Sequence, residues 1–83
     1  MIEPHIIVQK IEDALPGADV DVEDLTGTKD HYKARIVAEQ FDGKNRVARH
    51  RLIYDALSEE MKGPIHALTL EVFTPEEWER RSS

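Results

Sequence analysis

The amino-acid sequence predicts a single α+β domain in which helices pack on one face of a three-stranded mixed sheet. Apolar residues recur at helical spacing in some stretches and alternate at a period of two in others, in the order helix, strand, strand, helix, strand, helix. A chain of 83 residues with 40% hydrophobic residues can fill one core and is too short for two. We therefore treat residues 1–83 as one domain.

The chain opens with a helix and a strand. Pro4 suits the first turn of a helix, apolar residues follow at helical spacing, and Pro16-Gly17 ends the pattern. From Ala18 the period changes to two, because apolar residues alternate with acidic residues through the stretch "ADVDVE". This pattern predicts a strand with one buried face, followed by a loop at residues 24–30.

A second strand is predicted from His31 to about Phe41. Its inner face is apolar, and its outer face is polar or charged. The inner residues are Tyr32, Ala34, Ile36 and Ala38, and the outer residues are His31, Lys33, Arg35 and Glu39. The first two strands should form an antiparallel hairpin.

The longest helix is predicted from about Arg46 to Met61, with Asn45 as its cap and Gly63-Pro64 as its stop. Its apolar stripe comprises His50, Ile53, Leu57 and Met61. This spacing points His50 toward the core.

A third strand and a short last helix complete the domain. Residues Ile65 to Phe73 alternate as a strand does. The stretch "TPEEW" from Thr74 to Trp78 then combines a capping box with proline at the first helical position, which predicts a helix start.

Two histidines are expected to meet at one edge of the sheet. A strand–helix–strand connection within one sheet is normally a right-handed crossover between parallel strands, so strands two and three should start at the same end. His31 opens one strand and His66 opens the other. Histidine is the commonest metal-ligating side chain, so His31 and His66 are the candidate metal ligands, and an external donor must complete their shell.

The composition excludes several kinds of site. Without cysteine, the chain has no disulfide framework, no thiolate nucleophile and no cysteine-ligated metal site of its own. The serines do not sit at a tight elbow beside a base, and the glycines are scattered rather than gathered in a phosphate loop. We therefore expect a protein that is not an enzyme.

No apolar run approaches the roughly 20 residues that cross a bilayer, and the first residues lack the basic and apolar sections of a signal peptide. We therefore expect a cytoplasmic protein with no membrane partner.

A basic cluster offers the alternative of a nucleic-acid interface. It comprises Lys44, Arg46, Arg49 and Arg51 at the start of the long helix. A solvated helix face explains the same pattern, and the net charge of −6 counts against a protein that grips phosphate backbones.

Residues 41–61, "FDGKNRVARHRLIYDALSEEM", and residues 65–78, "IHALTLEVFTPEEW", resemble the signature of the BolA-like protein family. The "DHY" at residues 30–32 is also similar to the family's entry to the second strand. The resemblance implies a fold similar to class II KH domains. The chain has no Gly-x-x-Gly loop of the kind that RNA-binding KH domains use, so RNA binding does not follow from that fold.

The resemblance also implies a partner and a cofactor. Family members bind monothiol glutaredoxins, and the heterodimer holds a bridging 2Fe-2S cluster with glutathione, with none expected in the isolated chain. The family's ligand in the "IHAL" strand maps onto His66. Its second ligand, a histidine or cysteine in the loop between the first two strands, is absent here, where Thr26, Gly27 and Thr28 stand. His31 is the nearby replacement.

Three functions follow as hypotheses. The first is a glutaredoxin partner in iron–sulfur trafficking or iron and redox regulation. The second is a DNA-binding transcriptional regulator of the stress and morphology type, acting through the segment around Arg46–Arg51. The third is a small protein whose histidines are purely structural. In the absence of a partner, we expect a monomer or a weak homodimer.

Overall fold

The computed structural model of the chain describes residues 2–27 and 31–82. In chain order, the elements are α1 (Pro4–Ala14), β1 (Asp19–Asp24), β2 (His31–Val37), a 3-10 turn (Glu39–Phe41), α2 (Arg46–Ala56), α3 (Ser58–Met61), β3 (Ala67–Phe73) and α4 (Pro75–Ser82). The predicted order of helices and strands is confirmed. No helix within the described ranges is long and apolar enough to cross a membrane.

The three strands form one mixed sheet in the order β1-β2-β3. β1 pairs antiparallel with β2, and β2 pairs parallel with β3, as the hairpin and crossover arguments predict. The register places His31 opposite Ala67, the residue that follows His66. The two strands therefore begin side by side at one end of the sheet.

The core lies between the inner face of the sheet and helices α1 and α2. Alternation along β2 turns every second side chain toward these helices, and those side chains are buried, as is Val37 at the end of the strand. The buried cluster contains Ile7, Ile11 and Leu15 from α1, Tyr32, Ala34 and Ile36 from β2, and Ile53, Leu57, Phe41 and Ile65 from the later elements.

Helix α4 contacts the other face of the sheet. The ring of Trp78 lies 5.3 Å from the ring of Phe73 and 4.7 Å from the guanidinium carbon of Arg35, measured between or to ring centroids. Arg35 and Phe73 both alternate with inner-face residues and therefore lie on the outer face. Helices α1 and α2 thus cover the inner face, as predicted. The prediction that the helices share one face is wrong for α4, because Trp78 packs against Phe73 and Arg35 on the outer face.

Three predicted elements are shorter in the structure. The third strand was predicted from Ile65 but begins at Ala67, because the Ile65 N–H donates to the Glu60 carbonyl at 2.9 Å. β2 ends at Val37, because the chain turns through a 3-10 helix that buries Phe41, whereas the sequence predicted a strand to that residue. The long helix is interrupted at Leu57, whose backbone angles of −108° and 20° depart from helical values. Neither proline nor glycine occupies position 57, so the usual sequence signals of a helix break are missing there.

His50 is less buried than predicted. The imidazole is partly exposed and lies outside the buried core, with its ring 6.4 Å from the ring of Tyr54. The stripe prediction is right for Ile53 and Leu57, which are fully buried, and wrong for His50 at the amino-terminal end of the stripe. Arg46 and Val47 at the start of α2 are exposed as well, so this end of the helix lies at the surface.

Candidate functional site

His31 and His66 lie side by side at the rim where β2 and β3 begin. Their ring centroids are 5.1 Å apart, and the ring planes make an angle of 57°. His66 is exposed, and His31 is partly exposed. The predicted meeting of these two side chains is therefore confirmed, and the pair faces solvent.

Strand pairing positions the two rings. Neighbouring strands lie about 4.8 Å apart, and side chains that start adjacent parallel strands stand at a similar separation. His31 opens β2, and its carbonyl accepts a hydrogen bond of 2.9 Å from the Leu25 N–H, which closes the end of the β1-β2 ladder. The backbone of the rim is therefore held on both sides of His31.

The loop beside the rim is ordered at its start by a carboxylate. The Asp24 side chain accepts hydrogen bonds from the N–H groups of Thr26 and Gly27, at 3.3 and 3.0 Å. Gly27 has a φ of 76°, a left-handed conformation that favours glycine. Thr28 and the Asp30 of the "DHY" stretch lie outside the described residues, so the family's second-ligand region is described only at Thr26 and Gly27.

The donor set of the rim is two imidazoles. Within residues 2–27 and 31–82, no group of three or more histidine, aspartate or glutamate side chains is arranged to hold a metal ion. Two neutral imidazole nitrogens on an exposed rim fit an iron centre whose remaining ligands come from another molecule. Among the described residues, this chain offers them no third ligand that would close a metal site.

In the basic cluster, Arg49 is fixed by hydrogen bonds and an ion pair, whereas the other three side chains are exposed. Arg49 donates to both carboxylate oxygens of Glu77, at 2.6 and 3.1 Å, and through Nε to the Lys44 carbonyl at 2.8 Å. Its side chain is only 12% exposed, so the expectation of a solvated helix face is wrong for Arg49. Lys44, Arg46 and Arg51 are exposed, as that expectation requires.

Glu77 also closes the predicted capping box. Its carboxylate accepts the Thr74 N–H at 2.9 Å, and its own N–H donates to the Thr74 hydroxyl at 3.2 Å. The hydrogen bonds from Arg49, and next that from the Thr74 backbone, lower the pKa of Glu77 from 4.5 to about 2. One carboxylate thus caps α4 and joins it to α2.

Replacing Glu77 with glutamine is expected to weaken the fold at neutral pH. A folded-state pKa below 4.5 means that the carboxylate stabilises the fold above about pH 4.5 and that this contribution is lost as the pH falls toward about 2. We expect Glu77→Gln to lower the free energy of unfolding at pH 7 by about 1–2 kcal/mol. This is less than the pKa shift alone implies, because 37% of the side chain is exposed and water screens the pair.

Urea unfolding at pH 7, 4 and 2.5 measures this effect. The difference in stability between Glu77→Gln and the unmodified chain should shrink as the pH falls through that window. The matched control is Glu79→Gln, which removes an exposed charge from the same helix. Equal pH dependence of the two variants would contradict the assignment.

The ion pair between Arg49 and Glu77 could not be predicted from the sequence. The capping box predicts where Glu77 lies, and the helical pattern predicts where Arg49 lies, but the two residues are 28 positions apart. No local spacing rule pairs residues at that separation, since the pair depends on how α4 is placed against α2.

Comparison with known proteins identifies similar sequences and structures. A family model described as BolA-like protein matches residues 7–77. The DNA-binding transcriptional regulator BolA of Haemophilus influenzae is 36% identical over 80 residues, covering 96% of this chain and 72% of that protein. BolA-like protein 1 of Mus musculus is 42% identical over 52 residues, covering 63% of this chain and only 38% of the mouse protein.

The fold is also similar to that of a solved structure. A bolA protein homologue from Coxiella burnetii matches with a TM-score of 0.83 at 38% sequence identity. The match covers 96% of this chain and 100% of that one. The described architecture therefore agrees with an independently determined structure over nearly the whole chain.

Proposed function

Because the chain belongs to the BolA-like protein family, we propose that it is a non-enzymatic partner of a monothiol glutaredoxin. In this proposal, the two proteins share a bridging 2Fe-2S cluster in iron–sulfur trafficking or in iron and redox regulation. His66 and His31 are this chain's ligands, and the glutaredoxin and glutathione contribute the thiolates. The observation that carries the proposal is the pair of imidazoles 5.1 Å apart on an exposed rim.

The chain's own residues supply exposed nitrogen donors on a fixed backbone. His66 is the more accessible donor, because its side chain is exposed and lies just before β3. His31 stands beside it on the first residue of β2. An exposed rim leaves room for a second protein to approach both rings, which a closed metal site would not allow.

When bound, the cluster would supply an iron centre for transfer or sensing, at a potential raised by the replacement of two thiolates with neutral imidazoles, as in Rieske centres. The imidazoles must be unprotonated to donate to iron. The lack of cysteine in this chain fits this division of ligands, because every thiolate then belongs to the partner.

Anaerobic reconstitution tests the proposal. The chain is mixed with a monothiol glutaredoxin, glutathione, ferrous iron and sulfide, and the products are separated by size-exclusion chromatography with visible detection. We expect a heterodimer whose absorption spectrum differs from that of the glutaredoxin reconstituted alone. If the two proteins elute separately, or if adding the chain leaves the spectrum unchanged, the proposal is wrong.

A DNA-binding regulator is the second candidate. It is supported by the name of the Haemophilus influenzae relative and by the exposure of Lys44, Arg46 and Arg51. In this case, duplex binding should weaken steeply with added salt and with Arg46→Ala or Arg51→Ala, because phosphate contacts release counterions. Arg49 is a poor test residue, since its removal also breaks the ion pair with Glu77. Binding that is insensitive to salt and to both variants would exclude this candidate.

A further inference from the structure

One edge of the sheet has unpaired backbone groups. β3 pairs with β2 on one side and with no other strand in the described part of the chain. The Ala38 N–H donates to the Phe73 carbonyl at 2.9 Å, so the peptide groups of Phe73 face β2. Because peptide groups alternate in direction along a strand, those of Leu68, Leu70 and Val72 face away from the sheet. They are available to another strand.

A groove with cationic walls runs along this edge. Two adjoining cavities of about 540 and 340 Å³ share Arg46, Val72, Phe73 and Arg81 in their walls. The smaller cavity also reaches His50 and Leu70. We call this surface, lined by Arg46, His50, Leu70, Val72, Phe73 and Arg81, the β3 groove.

The cations of the β3 groove stand on both sides of the free edge. Arg46 comes from α2, on the inner side of the sheet, and Arg81 comes from α4, on the outer side. The guanidinium of Arg81 lies 5.2 Å from the centroid of the Phe73 ring, which holds its charge near the strand. An acidic side chain on either face of an added strand would therefore meet a cation.

We propose that the β3 groove binds an extended acidic segment of a partner protein, which adds to β3 as a further strand. Main-chain hydrogen bonds to Leu68, Leu70 and Val72 would give affinity, and the flanking cations would select acidic side chains. This surface is separate from the histidine rim. The centre of the proposed hydrogen bonds, at Leu70, lies about 13 Å along the strand from His66, at roughly 3.3 Å per residue.

The floor of the groove favours a peptide over a nucleic acid. Its strand residues offer apolar side chains and unpaired backbone groups, which a peptide strand uses and a phosphate backbone does not. The two carboxylates in the walls, Glu71 and Glu77, already pair with cations of this chain, Lys33 at 3.6 Å and Arg49 at 2.6 Å.

A partner protein is favoured over a second copy of this chain. The acidic strand β1, "DVDVED", has suitable charge, but it lies at the opposite edge of the sheet. Pairing β1 of one copy with β3 of the next is a heterologous contact, which continues from copy to copy as a ring or an open fibre rather than ending at a dimer. A separate acidic segment satisfies the same edge without polymerisation.

Titration of the labelled chain with a synthetic peptide tests the proposal. The probe is acetylated and amidated Asp-Val-Asp-Val-Asp-Val, and the control peptide has lysine in place of aspartate. We expect NMR amide shifts centred on residues 68–73, with slowed hydrogen exchange at Leu68, Leu70 and Val72. Arg46→Glu and Arg81→Glu should each weaken binding by at least about tenfold. Arg51→Glu, an exposed reversal on α2 outside the groove, should not.

Backbone methylation of the peptide separates strand addition from charge attraction. Two methylated peptides are compared, each carrying methyl groups on one of the two alternate sets of amide nitrogens. The peptide methylated on the amides that face β3 should not bind, and the other should bind as the unmethylated peptide does. Equal binding of both methylated peptides, tight binding of the lysine peptide, or no binding of the aspartate peptide would each overturn the proposal. It would also be overturned if a DNA duplex competed through the same residues, or if the chain polymerised through this edge.

Discussion

Replacing His66 with alanine is expected to abolish the visible absorption that the chain adds to a reconstituted glutaredoxin complex. His66 is the exposed member of the imidazole pair, and its ring lies 5.1 Å from the ring of His31. Within the described ranges, no third histidine, aspartate or glutamate joins the pair in a metal-binding group. Loss of a ligand should exceed the roughly 10–100-fold loss of affinity that follows removal of a residue supporting a ligand. Anaerobic absorption and circular dichroism spectra measure the effect.

Three further variants test whether the spectral change in His66→Ala is due to the loss of a ligand. His31→Ala should also change the spectrum, because the proposal gives His31 the second nitrogen. His5→Ala is the matched control, since His5 is an exposed histidine in the first turn of α1. His66→Cys should retain a cluster with a lower potential, because a thiolate adds negative charge. Wild-type spectra for His66→Ala and His31→Ala together would leave the histidines with a structural role only.

A complex without a cluster is a separate outcome. If His66→Ala still forms a heterodimer with the glutaredoxin and lacks the absorption, the imidazole acts as a ligand and the protein contact lies elsewhere. Size-exclusion chromatography of the variant therefore separates partner binding from iron binding. Loss of both together would place the contact and the ligand on the same rim.

The meeting of the two histidines was predictable because it follows from topology. The handedness of the crossover makes strands two and three parallel, and a histidine lies at the start of β2 and immediately before β3. No side-chain detail is needed for that conclusion. The sequence cannot give the angle or exposure of the rings, because these depend on how the neighbouring loop and the strand ends pack.

Contacts between distant elements were not predictable in the same way. Arg49 has the same pattern as its exposed neighbours, and only the placement of α4 beside α2 brings Glu77 to it. The free edge of β3 also follows from strand order, which places β3 outside β2 rather than between two strands. Its cationic walls need the positions of α2 and α4 as well.

The end of β2 shows where a local pattern misleads. Apolar alternation continues past Val37 to Ala38, so the sequence predicts a longer strand. The Phe41 N–H instead donates to the Ala38 carbonyl at 3.3 Å in a tight turn. The turn sends the Phe41 ring into the core, where it is fully buried.

Replacing Phe41 with alanine is therefore expected to lower the free energy of unfolding by about 4 kcal/mol, because it removes a fully buried aromatic ring and leaves a cavity. The guanidinium carbon of Arg49 lies 5.8 Å from the centroid of this ring, so the variant also removes one support of the ion pair with Glu77. The fluorescence of Trp78, the single tryptophan, reports urea unfolding.

The matched control is Phe73→Ala, which removes the same side chain from a partly exposed position and should cost about 1–2 kcal/mol. If Phe41→Ala does not fold, Phe41→Leu keeps most of the apolar volume and should cost about 1–2 kcal/mol with an unchanged dependence on urea. If the two alanine variants lose the same free energy of unfolding, the 3-10 turn does not bury Phe41 in the core. A larger loss of unfolding free energy for Phe41→Ala would support a structural role for the 3-10 turn in joining the sheet to α2.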